Sequence, residues 1–435
     1  MTTRHSLRSG AVTAAILAAI TATTPASAVP LFSTTPTLIP ITGDASNTQP
    51  NKALTSFDIS TYDPTTNVFY LGDRSNAGIS AWNLNTNTFI GTIGGGQFTG
   101  QTGNNATSGG DGTAAFTTSG ANPVHLVLGG DGNSTVKAYV VTGNGTSLSS
   151  YSSTPLYTAN TNLGGVVNPT ANARADEMSY DPVHNNVLVA NNAATPTPYT
   201  TLFNASTGAV ISQTVFDGTK GTPNAVGNSI EASIYDPAKD VFWLAIPQIG
   251  PSASDPGGLS EVNATTGAVI ATFPFTGFGA CSPTGVAISG NQVAIGCSAK
   301  GSQTLIFNTD THAFTALPYS GTDAVTYDPA INAFLLSGAN YTVGDSPTGA
   351  LDPSFAIIDA STDMISQIIN TSPGNDHSVD GGNGLIGVPF VGGQNSLCTN
   401  GCLAVYTQVP EPGTLPIMLT AMVGLVGIAV RRRLR

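Results

Sequence analysis

One tripeptide, Tyr-Asp-Pro, recurs four times along the 435 residues, at Tyr62-Asp63-Pro64, Tyr180-Asp181-Pro182, Tyr235-Asp236-Pro237 and Tyr327-Asp328-Pro329. Each copy is followed by Asn or Asp and then by an apolar run, Val68-Phe69-Tyr70, Val187-Leu188-Val189, Val241-Phe242-Trp243-Leu244 and Ala333-Phe334-Leu335-Leu336. Proline presets φ for a turn, Asn and Asp tolerate the left-handed conformation, and β-branched or aromatic residues favour strand. Each copy therefore reads as strand, tight turn, strand. A second signature, an apolar residue, Asn or Asp, two residues and Thr, recurs downstream at Trp82-Asn83, Phe203-Asn204, Val262-Asn263, Phe307-Asn308 and Ile358-Asp359. The residue after that Thr is Asn87, Gly208, Gly267, His312 or Asp363, types that close a hairpin. Each unit is four antiparallel strands.

Spacing counts the units. Tyr180 to Tyr235 is 55 residues, one unit, and Tyr235 to Tyr327 is 92, two units, the unmarked one opening at Pro283-Thr284-Gly285-Val286. Tyr62 to Tyr180 is 118 residues, two long units, with Pro123-Val124-His125-Leu126-Val127-Leu128 expected to open the second. A last unit opens near His377, without the proline, and runs to Tyr406. Units of about 45 residues with four strands are the mark of a propeller. The fold class is all-β, a seven-bladed β-propeller over 29–408, and the strand Thr37 to Ile41 is expected to complete the last blade. Charged residues make up 9% of the chain, too few for the solvent faces of a helical protein.

The ends carry different chemistry. Residues 1–28 read as a signal peptide, with Arg4 and Arg8, the apolar stretch Ala11 to Ile20, and the small-residue site Ala26-Ser27-Ala28. Residues 409–435 contain Pro410-Glu411-Pro412, an uncharged stretch Thr414 to Val430 long enough for a transmembrane helix, and Arg431, Arg432, Arg433 and Arg435. Triplet, apolar stretch and arginine cluster in this order resemble the PEP-CTERM sorting tail of Gram-negative bacteria. The resemblance implies export, recognition by an exosortase, transient anchoring through the C-terminal helix, and release to the cell surface or extracellular matrix. Within the body, Ser179-Tyr180-Asp181-Pro182, Phe203-Asn204-Ala205-Ser206-Thr207-Gly208 and Phe355-Ala356-Ile357-Ile358-Asp359 resemble NHL- and YVTN-type propellers of secreted bacterial proteins, repeats that indicate fold far better than function.

Setting both ends aside changes the charge. Six of 13 basic residues and one of 25 acidic residues lie in the tails, leaving 7 against 24, a body charge of −17. Such a surface repels nucleic acid and suits cations, neutral glycans or proteins. Cys281 precedes and Cys297 ends a predicted hairpin, so a disulfide or two thiols can stand there, and Cys398 with Cys402 can close a small loop. The alternative of zinc at these cysteines has no histidine nearby.

Familiar catalytic motifs are missing. An acid does lie four residues before each marker tyrosine: Asp58, Asp176, Glu231 and Asp323. Aligning the unmarked blades adds His125, Thr284 and His377. The first strand of a propeller blade lines the axis, so these positions form one ring, and Asp58, His125, Asp176, Glu231, Asp323 and His377 could hold a divalent cation such as Ca²⁺. Two carboxylates about 10 Å apart repel by roughly 0.4 kcal/mol in water and roughly 1.7 kcal/mol at an effective dielectric of 20. The ring calls for water, a cation or protonated carboxyls. Two functions follow. One is an exported, exosortase-processed propeller that binds exopolysaccharide or a surface protein in a biofilm matrix. The other is a metal-dependent hydrolase resembling propeller lactonases and gluconolactonases, with Asp176 or Glu177 as base.

Overall fold

The computed structural model describes residues 29–42, 53–144, 147–163, 174–279, 281–371, 377–393 and 398–409. The expected signal peptide 1–28, Pro410-Glu411-Pro412, the stretch Thr414 to Val430 and the arginine cluster lie outside these residues. No helix among the described residues is long and apolar enough to cross a membrane.

Seven antiparallel sheets follow one another in the chain. Blade one runs from Ser60–Asp63 to Thr88–Ile93, blade three from Met178–Asp181 to Val210–Val215, and blade four from Ser233–Asp236 to Val269–Pro274. Blade five spans Pro283–Ser289 to Phe314–Ser320, and blade six Val325–Asp328 to Met364–Asn370. Blade seven takes Asp380–Gly382, Leu385–Phe390 and Cys402–Thr407 from the C-terminal side and Thr37–Pro40 from the N-terminal side. The first strands of all seven blades neighbour one another in a closed circle. Pairing of Thr37 with Val405 and of Pro40 with Cys402 closes the ring between the two ends of the body. Pro40 is tolerated because its strand is outermost and its missing N–H faces no partner.

Blade two departs from the sequence expectation. Its first strand is Thr113–Thr117, and His125–Asp131, expected to open the blade, is the second. The opening strand, Thr-Ala-Ala-Phe-Thr, has little apolar bulk and no Tyr-Asp-Pro after it. The strongly apolar run beside it belongs to the central strand, which is covered on both faces. Ser147–Tyr151 adds a fifth strand against the long third strand Thr135–Asn144.

The two repeated signatures are turns of one construction each. Asn67, Asn185, Asp240 and Asn332 all adopt positive φ (55°, 59°, 59° and 50°). Their side chains bond the hydroxyls of Tyr62, Tyr180, Tyr235 and Tyr327 at 2.6–3.1 Å. In the second signature, Asn83, Asn204, Asn263, Asn308 and Asp359 accept N–H groups two or three residues on. Asn87, Gly208, Gly267, His312 and Asp363 then turn with positive φ.

Apolar side chains pack between blades rather than within them. Leu126, Leu128 and Val136 of blade two meet Val187, Val189 and Phe203 of blade three. Phe69, Leu71 and Trp82 of blade one meet Leu403 and Val405 of blade seven. Each such side chain contributes about 1.5–3 kcal/mol on burial. Disulfides join Cys281 to Cys297 and Cys398 to Cys402, and zinc has no free thiolate there.

Candidate functional site

The first strands surround an axial channel of about 470 Å³. Ile59, Met178, Ile234, Val286, Ile288 and Val325 supply apolar wall. Its threonines are spent on neighbouring backbone: Thr61 donates to the Thr113 carbonyl at 2.7 Å, Thr113 to Ile59 at 3.2 Å and Thr326 to Val379 at 3.1 Å. The wall is thus mainly apolar, with Glu177, Asp323 and Asp380 among its polar members.

Where the first strands begin, charge is concentrated. Asp58, Asp111, Asp176, Glu231, Asp323 and His377 each stand just before a first strand. Glycines bring these segments together. A Cβ on Gly72 would meet the Asp111 carbonyl at 1.8 Å, and one on Gly112 would meet the Asp176 carbonyl at 2.4 Å. Neither contact tolerates a side chain.

Arg74 donates Nη2 to Asp58 Oδ2 at 2.6 Å and Nε to Asp111 Oδ1 at 2.7 Å, linking blades one and two. His377 joins Asp58 Oδ1 through Nε2 at 3.0 Å and Asp323 Oδ2 through Nδ1, linking blades seven, one and six. Arg174 pairs with Asp176 Oδ2, which also accepts Asn192 Nδ2. The same Asn192 amide reaches Glu231 Oε2 at 3.1 Å, and Ser229 donates to Glu231 Oε1 at 2.5 Å.

Burial shifts Asp58, Asp111, Asp176, Glu177, Glu231 and His377, and charged neighbours overcome it at Asp58 and His377. Burial alone would raise the Asp58 carboxyl, but Arg74 and His377 hold it far below the usual carboxylate range. Burial would lower the His377 imidazole, and the Asp323 and Asp58 carboxylates raise it well above its ordinary value, so it is a cation. Asp111 and Glu177 are pushed well up by burial and then by the charge of Asp176. Burial also raises Asp176 and Glu231 despite Arg174.

The expected ring is thus assembled from Asp58, Asp176, Glu231, Asp323 and His377, with Thr284 beside them donating to the Asp323 carbonyl at 3.0 Å. His125 is not part of it. It sits on the second strand of blade two, and its Nε2 bonds Asp63 Oδ2 at 2.8 Å at the opposite end of the strands. Asp111 takes the blade-two place. Glu177, the other candidate base, faces the channel. Arg74, Arg174 and Asp111 escaped the sequence reading. One signal was available: Arg74 and Arg174 are the only arginines between the two tails, and both converge here.

Residues 408–433 match the model of the PEP-CTERM protein-sorting motif. No curated protein matches the chain. Among solved structures, a chain of "Crystal Structure of Mitotic Checkpoint Complex" aligns at a TM-score of 0.52 and 11% identity, covering 94% of this chain and 99% of that one. The computationally designed Ika8 protein aligns at 0.44 and 11% identity, covering 81% and 83%. At 11% identity the first of these alignments speaks for the fold alone. The protein is a seven-bladed propeller carrying the C-terminal sorting motif of exported, exosortase-processed proteins.

Proposed function

We propose that this chain is a binding propeller of the cell surface or extracellular matrix, anchored through its tail until an exosortase processes it, and that it engages exopolysaccharide or a surface protein. The carrying observation is the sorting motif at 408–433. The resemblance of the repeats to NHL- and YVTN-type secreted propellers supports the same reading. So does the body charge of −17, which disfavours nucleic acid and anionic lipid. The test replaces Pro410-Glu411-Pro412 with alanines. The variant is expected to stay in the inner membrane while the parent chain reaches the surface or medium, and binding to the cell's own polysaccharide is then measured on the released form. Equal export of both chains contradicts the reading.

Metal-dependent hydrolysis of a lactone is the second reading, favoured by Glu177 facing the channel beside Asp176. Against it, the oxygens of Asp58 and one of Asp176 are already engaged by Arg74, His377 and Arg174. Lactone turnover lost in Glu177→Gln would support it; no turnover by the parent chain removes it.

A further inference from the structure

The axial channel carries polar groups that its own lining leaves unsatisfied. Asp323 is paired with His377, and Asp380 accepts the N–H groups of Tyr62 and Gly381. Glu177 Oε2, Ser233 Oγ and Asp328 Oδ2 belong to the same lining, are buried and have no partner among the described residues. Ser233 and Asp328 are 7% and 1% exposed. Asp328 is one of the copied turn acids, and the matching oxygens of Asp63, Asp181 and Asp236 bond His125, His184 and Trp243, away from the axis. Glu177 has no such setting, since it stands one residue before its strand. The channel is closed on its side. Asp58, Arg74, Asp111, Arg174 and Asp176, all buried, lie across the end where the first strands begin. Pro64, Pro329 and Ala330, all exposed, line the end where the strands finish. Glu177 thus sits at the floor, and the mouth lies about 13 Å away along a four-residue strand.

A cavity of about 470 Å³ with an apolar wall and a carboxyl at its inner end fits a small molecule with an apolar body and one polar tip. Charge complementarity sets the sign of that tip. Burial first, and then the charges of Asp176, Glu231 and Asp58, disfavour the Glu177 carboxylate against the help of Arg174. A neutral or anionic tip leaves that cost in place, whereas an ammonium group removes it and donates a charge-assisted hydrogen bond. We propose that the channel binds an apolar primary amine, inserted ammonium-first so that its head meets Glu177 and its hydrocarbon lies along Ile59, Met178, Ile234 and Val325. Occupancy of the channel is independent of export and of what the outer surface binds.

The competing arrangements are a neutral apolar molecule held by the wall alone, and an amine held at the mouth by Asp328. The purified full chain is titrated calorimetrically with hexylamine, hexanol and hexanoate, which share a chain and differ in the tip. One equivalent of hexylamine is expected, with hexanol weaker by about tenfold or more and hexanoate not bound. Glu177→Gln keeps the shape of the floor and should weaken hexylamine about tenfold or more. Its hexanol binding should stay at the parent value, which also shows the channel intact. Ile234→Phe narrows the wall and should weaken both, and Asp328→Asn should leave hexylamine binding unchanged. The proposal is overturned if the parent chain binds no hexylamine, or binds hexanol or hexanoate as tightly, a comparison that needs no variant. It is also overturned if Glu177→Gln keeps the full amine affinity, or if Asp328→Asn abolishes it.

Discussion

The two ends of the seven inner strands use the same residue type in opposite ways. At the end where the strands finish, Asp63, Asp181, Asp236 and Asp328 are bonded by N–H groups two residues on, at 2.7–2.9 Å. Where the strands begin, partners come from far along the chain: Arg74 reaches Asp111 37 residues away, and His377 reaches Asp58 across 319. The first end is made mainly by local chemistry copied from blade to blade, with His125 on Asp63 as an added cross-blade bond. The second is made once, from residues that do not repeat. A propeller can lose one copied turn and keep its form, whereas the charge network joins blades one, two, six and seven and has no spare copy.

The largest effect should therefore come from the network. Arg74→Met leaves Asp58 and Asp111 without their shared guanidinium and is expected to cost about 3–5 kcal/mol in denaturant unfolding. A smaller effect separates two equivalent acids beside it. Asp131 is paired with Lys137, whereas Asp73, at the same place in blade one, has only Asn76 and Ser80, and burial pushes it up to about 6. Its folded value exceeds the unfolded one, so the native state holds more protons between about pH 4 and 6, and stability falls as pH rises through that window. Asp73→Asn should remove a decline on the order of 3 kcal/mol, seen as a flatter pH profile of stability.

At the copied end, Asp236→Ala removes the acceptor for the Ala238 and Lys239 N–H groups and for Trp243 Nε1. About 1–2 kcal/mol should be lost in the same unfolding assay. The smallest effect belongs to Asn332→Ala, which puts alanine at φ 50° and frees the Tyr327 hydroxyl. About 1 kcal/mol is expected, with Asn332→Gly recovering most of it. A turn variant that costs more than Arg74→Met would reverse the comparison.

Legibility followed the same division. Turn residues and blade number could be read from the chain because turn bonding depends on residues a few positions apart, and the closing strand and disulfides followed from the repeat those turns set out. Asp58, Asp176, Glu231, Asp323 and His377 were legible at second hand, by counting back from each turn or forward to an apolar run. That counting failed in blade two. With no Tyr-Asp-Pro to anchor it, the apolar run after His125 has the look of a first strand, and no repeated mark points to Asp111. Arg74 and Arg174 were invisible to the repeat because they have no counterpart in other blades. The largely apolar character of the channel wall depends on the fold, because Thr61, Thr113 and Thr326 carry hydroxyls that only there turn to neighbouring carbonyls.

A double-mutant cycle at the joint between blades one and two tests this division most directly. Unfolding free energies of Arg74→Met, Asp111→Asn and the double variant are compared with the parent chain. If Arg74 acts as the built-in counter-ion of Asp111, the double variant recovers a large part of the Arg74→Met loss, with a coupling of about 1–3 kcal/mol. Strict additivity of the two single changes would contradict a network that holds the blades together by charge.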